Sequence, residues 1–357
     1  MTGIDLGICA ATDISDVEYA VTAERLGYTS FWAGDSQLLW SDCYATLALV
    51  ADRTSTLRIG PGIAVAGTRP ASVTAAALAT LNRVAPGRVF AGIGAGNTAM
   101  RVAGMKPVST ARLERYVTDV RTLLDGGELR ADDGALVRHL MPDSGFVAFE
   151  PRIPLAVSGF GPRSMAVAAR HADGLVLSIP PYPQEVSRVW ERLRGAAVDR
   201  AVDPSTFRTT LLTTMVVLEP GQPAFGPDVV RQAGAYAIVS MHYAYEQWRQ
   251  YGRRPPAFAR PLWDEYVAMV QDHPEESRHQ FLHSGHNCWL EPDEARFVTP
   301  ELVEATCLVG TPDQLISRLR ELADAGLSEV IVLPGLDVKD EVVRAIAERV
   351  LPFVRSA

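Results

Sequence analysis

Residues 57–97 constrain the fold more than any other part of the sequence. Residues 57–65 and 89–93 are short apolar runs bordered by glycine, and both are predicted to be buried strands. The Ala-rich segment 70–84 between them has the apolar spacing of a helix, and Pro70 suits its first turn. Two buried strands joined by a helix form a right-handed β-α-β unit, so the sheet is predicted to be parallel.

The same alternation continues along the chain. Further strands are predicted at 4–10, 29–33, 153–158, 174–179, 206–218 and 328–333, with helices at 16–26, 44–53, 110–124, 163–172, 184–202, 312–325 and 339–354. Eight strands that alternate with helices predict an α/β fold, a (β/α)8 TIM barrel. The alternative is a doubly wound open sheet, which is disfavoured because it would carry a glycine fingerprint after the first strand, where this chain reads CAATD.

Residues 219–300 interrupt the alternation. They are rich in Trp, Tyr, His and Pro, and helical patterns occur around 229–249 and 261–271. We interpret them as an insertion late in the barrel that covers the active-site end, within a single domain of residues 1–357. Insertions at this end of a barrel usually determine specificity.

Composition excludes several classes of protein. The chain of 357 residues is 47% hydrophobic with a net charge of −8, which is ordinary for a globular enzyme and unfavourable for nucleic-acid binding. No apolar run reaches membrane-spanning length, and the N-terminus lacks the basic region of a signal peptide, so a cytoplasmic protein is expected. The four cysteines have no CxxC spacing and are expected to be reduced, mostly buried thiols.

Glycines mark the predicted ligand-binding end. Gly62, Gly94 and Gly96 lie at the carboxyl ends of two neighbouring strands, where parallel α/β folds bind ligands. The GIGAG run is not a GxGxxG fingerprint, and we interpret it as a strand end with room for something flat. In SGFGPRS, residues 158–164, the predicted helix N-terminus and Arg163 could bind phosphate; a plain β-α turn is the alternative.

Two further groups are candidates for chemistry. Asp35 follows the second strand beside Trp40, where a carboxylate could orient a ring or move a proton; an Asx turn among packed aromatics is the alternative. His279, His283 and His286 lie in HQFLHSGH, with the first two on one face if the segment is helical. Because no HExxH pattern is present, a substrate-facing or surface cluster is favoured, and no metal site is predicted. Nucleophilic hydrolysis lacks support, since no GxSxG motif occurs.

These segments together resemble a known family. FWAGDSQLLWSDCYATLALVADRTSTLRIGPGIAV, TRPASVTAAALATLNRVAPGRVFAGIGAGN, SGFGPRSMAVAARHADGLVL and LVGTPDQLISRLRELADAGLSEVIVLP resemble the bacterial-luciferase-like flavin and deazaflavin oxidoreductases. The DSQ loop and the LRIGPGI strand are most similar to the branch that uses coenzyme F420, which includes methylenetetrahydromethanopterin reductase. The other branch uses FMN and oxygen. The 219–300 segment lies outside the resemblance.

The resemblance implies a barrel with an insertion, often a homodimer, and it implies a cofactor site. The residues that it places near the ring of the cofactor are Asp35, Ser36, Gly62, Ile63, Ala64, Gly94, Gly96 and Asn97. The residues that it places near the phosphate-bearing tail are Ser158, Gly159, Gly161, Pro162 and Arg163. It also implies a non-prolyl cis peptide at Gly62–Ile63.

The chain departs from the family at two positions that handle protons in relatives. Ser36 stands where some F420 enzymes have histidine, and Asn97 stands where many have an acidic residue. The proton donor is therefore left open between Asp35, His283 and His286. The candidate catalytic residues are Asp35, Trp40, Asn97, His283 and His286.

The sequence therefore favours an F420-dependent oxidoreductase that moves a hydride between the deazaflavin C5 and a small or medium organic substrate. The first alternative is an FMN-dependent, oxygen-using monooxygenase. The second is a flavin- or deazaflavin-binding protein without catalysis. Metal-dependent hydrolysis on the same barrel is the least favoured.

Overall fold

The computed structural model describes residues 3–197 and 201–355. Its strands in chain order are β1 (Asp5–Ala10), β2 (Ser30–Ala33), β3 (Arg58–Pro61), β4 (Ala64–Val65), β5 (Ala91–Gly94), β6 (Leu129–Arg130), β7 (Leu136–Val137), β8 (Leu155–Ser158), β9 (Gly174–Leu177), β10 (Arg208–Thr213), β11 (Met215–Val217), β12 (Leu308–Gly310) and β13 (Glu329–Val332).

Helices separate most of these strands, as the alternation predicts. They are α1 (Val17–Leu26), α2 (Cys43–Arg53), α3 (Ala71–Val84), α4 (Asn97–Val102), α5 (Thr110–Leu124), α6 (Pro162–His171), α7 (Pro183–Ala196), α8 (Pro227–Ala237), α9 (Val239–Tyr251), α10 (Trp263–Gln271), α11 (Arg278–Phe281), α12 (Pro300–Thr306), α13 (Pro312–Asp324) and α14 (Lys339–Arg349).

The main sheet is a parallel barrel. Its strand order is β3-β2-β1-β13-β10-β9-β8-β5-β4. The two ends of this order, β3 and β4, are successive halves of one strand position: β3 pairs with β2, and β4 pairs with β5. The sheet therefore returns to its starting edge, and the predicted (β/α)8 barrel is confirmed. Strands such as β9 and β13 are buried at every residue, as a parallel sheet covered on both faces requires.

The predicted third strand is interrupted at Gly62–Ile63. The peptide bond between these residues is cis, as the family resemblance implies. The prediction of one continuous strand at 57–65 was therefore wrong, although both halves of it remain in the barrel.

The strand predicted at 206–218 also divides. β10 stays in the barrel, whereas β11 pairs in parallel with β12 in a separate two-stranded sheet. The chain changes partner around Thr213 and Thr214, where the Thr213 hydroxyl donates to the Thr306 carbonyl and the Thr214 carbonyl accepts the Leu308 N–H. Neither β12 nor the short helix α4 was predicted, because elements of three to six residues carry too little periodicity. The helix predicted at 184–202 ends at Ala196, and residues 198–200 lie outside the described residues.

A polar network closes the amino end of the barrel. Glu329, fully buried at the start of β13, accepts from the Ser30 hydroxyl at 2.5 Å, from Arg58 Nη2 at 3.0 Å and from the Thr210 hydroxyl at 3.1 Å. This network occupies the amino end of the barrel, whereas barrels of this kind bind their ligands at the carboxyl ends of the strands.

The segment after β11 supplies helices α8 to α11, in agreement with the helical patterns in the sequence. It contacts barrel loops at several points: Arg101 binds Glu246 at 2.5 Å, Trp40 Nε1 contacts Cys288 Sγ at 3.3 Å, and the Leu336 N–H donates to the Cys288 carbonyl. In the described part of the chain, no helix combines the length and the apolar character that crossing a membrane would need. All four cysteines are buried and free, as the sequence predicts.

A contact between α1 and the start of the third strand generates a pH-dependent prediction. Glu24 Oε1 accepts the backbone N–H groups of Ser55, Thr56 and Leu57 at 2.9, 2.6 and 2.9 Å. Burial raises the pKa of Glu24, but these hydrogen bonds outweigh burial and hold the pKa below its ordinary 4.5. The unfolded chain therefore binds the proton more tightly, and the contribution of Glu24 to stability is full above about pH 4.5 and is lost as the pH falls through the folded-state pKa.

We expect Glu24→Gln to lower the free energy of unfolding at pH 7, and we expect this difference from the wild type to shrink at pH 3.5. Urea unfolding at both pH values measures it. Glu348→Gln, at an exposed position of α14, is the control and should show the same small effect at both. A Glu24→Gln effect that does not change with pH would show that the carboxylate charge is not what holds residues 55–57.

Candidate active site

Asp35 lies in the loop after β2 and is held by an arginine. Arg69 Nη1 contacts both carboxylate oxygens at 2.7 and 2.6 Å, and Arg69 Nη2 contacts Asp42 at 2.9 Å. Burial raises the pKa of Asp35, and the Arg69 guanidinium opposes that rise. The carboxylate is thus occupied in a partly buried ion pair. Sequence reasoning missed Arg69, because only the fold brings the loop after the third strand beside Asp35.

Ser36 and Trp40 shape the same loop. The Ser36 carbonyl accepts the N–H groups of Leu39 and Trp40, and the Ser36 residue is buried. The Trp40 indole packs directly over Gly34, where any Cβ would overlap its ring. Its ring centroid lies 6.0 Å from that of His286. Trp40 therefore connects the second-strand loop to the 219–300 segment.

The Ile63 side chain, between β3 and β4, forms a wall against the neighbouring strand β5. A Cβ on Gly94 would overlap Ile63 Cδ1, and a Cβ on Gly92 would lie 2.8 Å from Ile63 Cγ2. The glycines of β5 therefore make room for the Ile63 side chain. The sequence suggested instead that they leave room for a ligand. Gly62 and Ile63 themselves are half-buried, so the outer side of this wall is accessible. Ala64, which follows, is buried in β4.

The connection after β5, which we call the fourth-strand loop (residues 95–99), contributes Gly96, Asn97 and Thr98. Gly96 has a φ of +80°, and a Cβ there would overlap the Val65 side chain, so glycine is needed on both counts. Asn97 is half-buried at the first position of α4. The Thr98 hydroxyl lies 3.0 Å from the Tyr243 hydroxyl and 3.2 Å from His286 Nε2.

The residues implied for the cofactor tail meet at one helix end. β8 ends at Ser158 and α6 begins at Pro162, with Gly161 in extended backbone as its N-cap. Gly159 is buried against Ser164, whereas a Cβ on Gly161 would meet nothing within 4 Å. Arg163 and Pro162 are exposed. The first-turn N–H groups of a helix lack intrahelical partners and favour an anion.

The histidines are arranged differently from the sequence expectation. α11 ends at Phe281, so His283 and His286 do not share a helical face with His279, which lies half-buried outside the cluster. Instead His283 and His286 lie beside His242 of α9, and all three are buried. Burial, together with the neighbouring imidazoles, lowers the pKa of His283 to about 2 and that of His286 to about 3. Both are therefore neutral at physiological pH.

A cavity of about 260 Å³ lies between these loops. Its lining comes from the loop after β1, the loop after β2, the 219–300 segment and the loop after β13, and includes Thr12, Trp40, His286, Trp289 and Leu336. This volume lies just below the range of about 300–1,000 Å³ that is usual for ligand pockets, so the cavity suits only a small molecule.

The structure therefore groups the candidate residues into three parts of one end of the barrel. Asp35 and Ser36 lie beside the third-strand break, the five candidates for the cofactor tail lie at the start of α6, and Trp40 and His286 line the cavity. His283 is buried behind His286 and does not line it. Besides Arg69, sequence reasoning missed Thr98, Tyr243 and His242, whose contacts span loops far apart in the chain.

A parallel barrel with a glycine-bordered site at its carboxyl end is a frame for cofactor-dependent enzymes. The sequence model of the luciferase-like monooxygenases matches residues 15–329, and the chain belongs to this family. It is an oxidoreductase.

One relative is 5,10-methylenetetrahydromethanopterin reductase of Archaeoglobus fulgidus, which is 24% identical over 351 residues, 95% of this chain and 96% of the relative. The coenzyme F420-dependent tetrahydromethanopterin reductase of Methanopyrus kandleri superposes with a TM-score of 0.70 at 17% identity, covering 99% of this chain and 100% of that one. An F420-dependent secondary alcohol dehydrogenase, in complex with an F420-acetone adduct, gives 0.68 at 17% identity, with 100% of both chains covered.

The fold is shared with flavin enzymes too. The oxygenating constituent of 3,6-diketocamphane monooxygenase from Pseudomonas putida, in complex with FMN, superposes with a TM-score of 0.62 at 16% identity, covering 99% of this chain and 100% of that one. These structural likenesses show the fold.

The Ile63 wall generates a prediction about packing. We expect Gly94→Ala to lower the free energy of unfolding by about 1–3 kcal/mol, because the new methyl group overlaps Ile63 Cδ1. Ile63→Ala in the same chain should recover part of this loss by making room. Urea unfolding of the two single variants and the double variant measures the coupling.

Gly195→Ala is the matched control, since its Cβ enters open space within α7, and it should not lower the free energy of unfolding. Additive effects of Gly94→Ala and Ile63→Ala would contradict the assigned contact.

Proposed function

We propose that this enzyme is an F420-dependent oxidoreductase that acts on a small or medium organic substrate. The observation that carries the proposal is the arrangement of the carboxyl end: an accessible wall at Gly62–Ile63 with an open, cationic helix N-terminus at Gly161–Arg163 on the same barrel end. The wall suits a flat ring, and the helix end suits a phosphate.

The residues present fit this cofactor. Ser36, Gly62, Ile63 and Asn97 would hold the ring, and Ser158, Gly159, Gly161, Pro162 and Arg163 would hold the tail. Ala64, Gly94 and Gly96 are buried, and they would support these residues rather than touch the ring. Gly161 leaves space that a side chain would fill. Gln37 has a buried Oε1 with no hydrogen-bond partner among residues 3–197 and 201–355, next to the Ala99 carbonyl to which its Nε2 donates. That orphaned acceptor is available to a bound molecule. The deazaflavin would supply the redox chemistry by exchanging a hydride at its C5 carbon with the substrate.

The chain's own residues position the reactants. Asp35 is assigned a positioning role, because Arg69 occupies both of its oxygens and so fixes the loop that carries Ser36. Trp40 and His286 line the cavity and are assigned to substrate contact. The 219–300 segment, which supplies His286 and Trp289, is proposed to cover this end and exclude water. Holding two reactants at contact distance accounts for much of the rate enhancement in such enzymes.

FMN-dependent monooxygenation is the second candidate, and the likeness to an FMN-bound monooxygenase favours it. The phosphate of FMN fits the same helix N-terminus. The two candidates differ in what the enzyme consumes, because only the monooxygenase requires oxygen.

A parallel fluorescence titration of the purified protein with F420 and FMN tests the proposal. We expect preferential binding of F420, followed by anaerobic oxidation of reduced F420 when carbonyl, imine or alkene substrates are added. Preferential binding of FMN with substrate-dependent oxygen uptake would support the second candidate instead. Binding without turnover by either route would leave a cofactor-binding protein and contradict the proposal.

Gly161 permits a sharper test of the tail site. Aspartate and asparagine both fit its extended backbone and both cap helices well, so neither variant should unfold the chain. We expect Gly161→Asp to bind F420 about tenfold more weakly than Gly161→Asn, because only the aspartate repels a phosphate. The difference should diminish at high salt. Equal affinities of the two variants would place the tail elsewhere.

A further inference from the structure

Three buried imidazoles meet beside the cavity. His242 comes from α9, and His283 and His286 follow α11; each offers a ring nitrogen, and these nitrogens lie within 4.8 Å of one another. The residues are 3%, 0% and 5% exposed. Sequence reasoning sought a partner for His283 at His279 and so did not find this group, because His242 belongs to another helix.

The outer nitrogens of two imidazoles are held by oxygen atoms. His242 Nε2 lies 2.8 Å from Glu294 Oε1, and His286 Nε2 lies 3.2 Å from the Thr98 hydroxyl. His242 Nδ1 and His283 Nε2 are buried without a hydrogen-bond partner in the described chain. Histidines that ligate metals typically donate their second N–H to a carboxylate or another oxygen in this way. The Glu294–His242 pair has the form of a carboxylate–histidine–metal triad.

The spacing also agrees with a metal. The Nδ1 atoms of His283 and His286 are 3.4 Å apart. A tetrahedral site with metal–nitrogen bonds of about 2.0–2.1 Å places its ligand nitrogens about 3.4 Å from one another. A direct hydrogen bond between the two rings would explain this one distance, but it would leave His242 Nδ1 unpaired.

We propose that His242, His283 and His286 bind one divalent transition metal ion, with zinc as the best match. Imidazole nitrogens are common zinc ligands, and three protein ligands leave one coordination position for water or a substrate oxygen. Because His286 also lines the 260 Å³ cavity, the ion lies next to the space assigned to the substrate. The contact of His286 with the Thr98 hydroxyl also joins the 219–300 segment to the fourth-strand loop.

The site is independent of F420 and is tested without it. Protein purified without a polyhistidine tag is treated with a chelator and titrated with Zn²⁺ against a chromophoric competitor, and Co²⁺ replaces Zn²⁺ for absorption spectra. We expect one equivalent of Zn²⁺ and the intense visible bands of tetrahedral Co²⁺. His286→Gln and His242→Gln should abolish both, whereas His279→Gln, outside the cluster, should retain both.

Glu294→Gln keeps all three histidine ligands, so it tests the site even if a histidine variant fails to fold. It should weaken Zn²⁺ binding by about 10- to 100-fold, as the loss of an outer-shell carboxylate does elsewhere. Natively folded wild-type protein that binds no Zn²⁺ and gives no tetrahedral Co²⁺ spectrum would overturn the proposal. So would metal binding that is unchanged in His286→Gln, His242→Gln and Glu294→Gln.

Discussion

The packing of Ile63 against two glycines of the neighbouring strand is the contact on which the open end of the barrel depends. The third strand position bonds to β2 through its first half and to β5 through its second, and Ile63 lies at the change of partner. Its side chain takes the space that any residue larger than glycine would fill at positions 92 and 94. Backbone pairing of β4 with β5 and the bridge between Ile59 and Val89 close the barrel, and the Ile63 contact lies beside this closure. Closure and the candidate ligand wall are thus adjacent in the structure.

Polar contacts then attach the loops to this frame. The Arg69 guanidinium joins Asp35 to Asp42, and Gln37 reaches the fourth-strand loop at the Ala99 carbonyl. On the far side, buried Arg101 pairs with buried Glu246 of α9 at 2.5 Å. Asp35, Arg101 and Glu246 thus each have a partner of opposite sign, so these three buried charges are compensated. Side chains held in this way are preorganised for a ligand.

The sequence predicts the barrel well because its signals are local. Each strand and helix shows its own periodicity, and Pro162, Pro312 and the glycines mark their ends. Residues that act through distant contacts carry no such signal. Arg69 and His242 look like ordinary polar residues until folding brings them to Asp35 and to His283.

The interpretation of GIGAG illustrates the same limit. A glycine-rich strand end indicates that something must approach closely, but it does not say what. The family resemblance implies a ring near Gly94, and in the structure the Ile63 side chain lies against Gly94, while Gly62 and Ile63 themselves are half-buried. Likewise β11 leaves the barrel because β12 offers it a partner, and nothing in residues 206–218 alone reveals β12.

A crystal structure of the protein with F420 bound would test the central claim most directly. The account predicts that the deazaflavin ring contacts Gly62 and Ile63 and that its phosphate lies at the N-terminus of α6, near Gly161 and Arg163. A ring bound away from the third-strand break, or a phosphate bound away from α6, would contradict it.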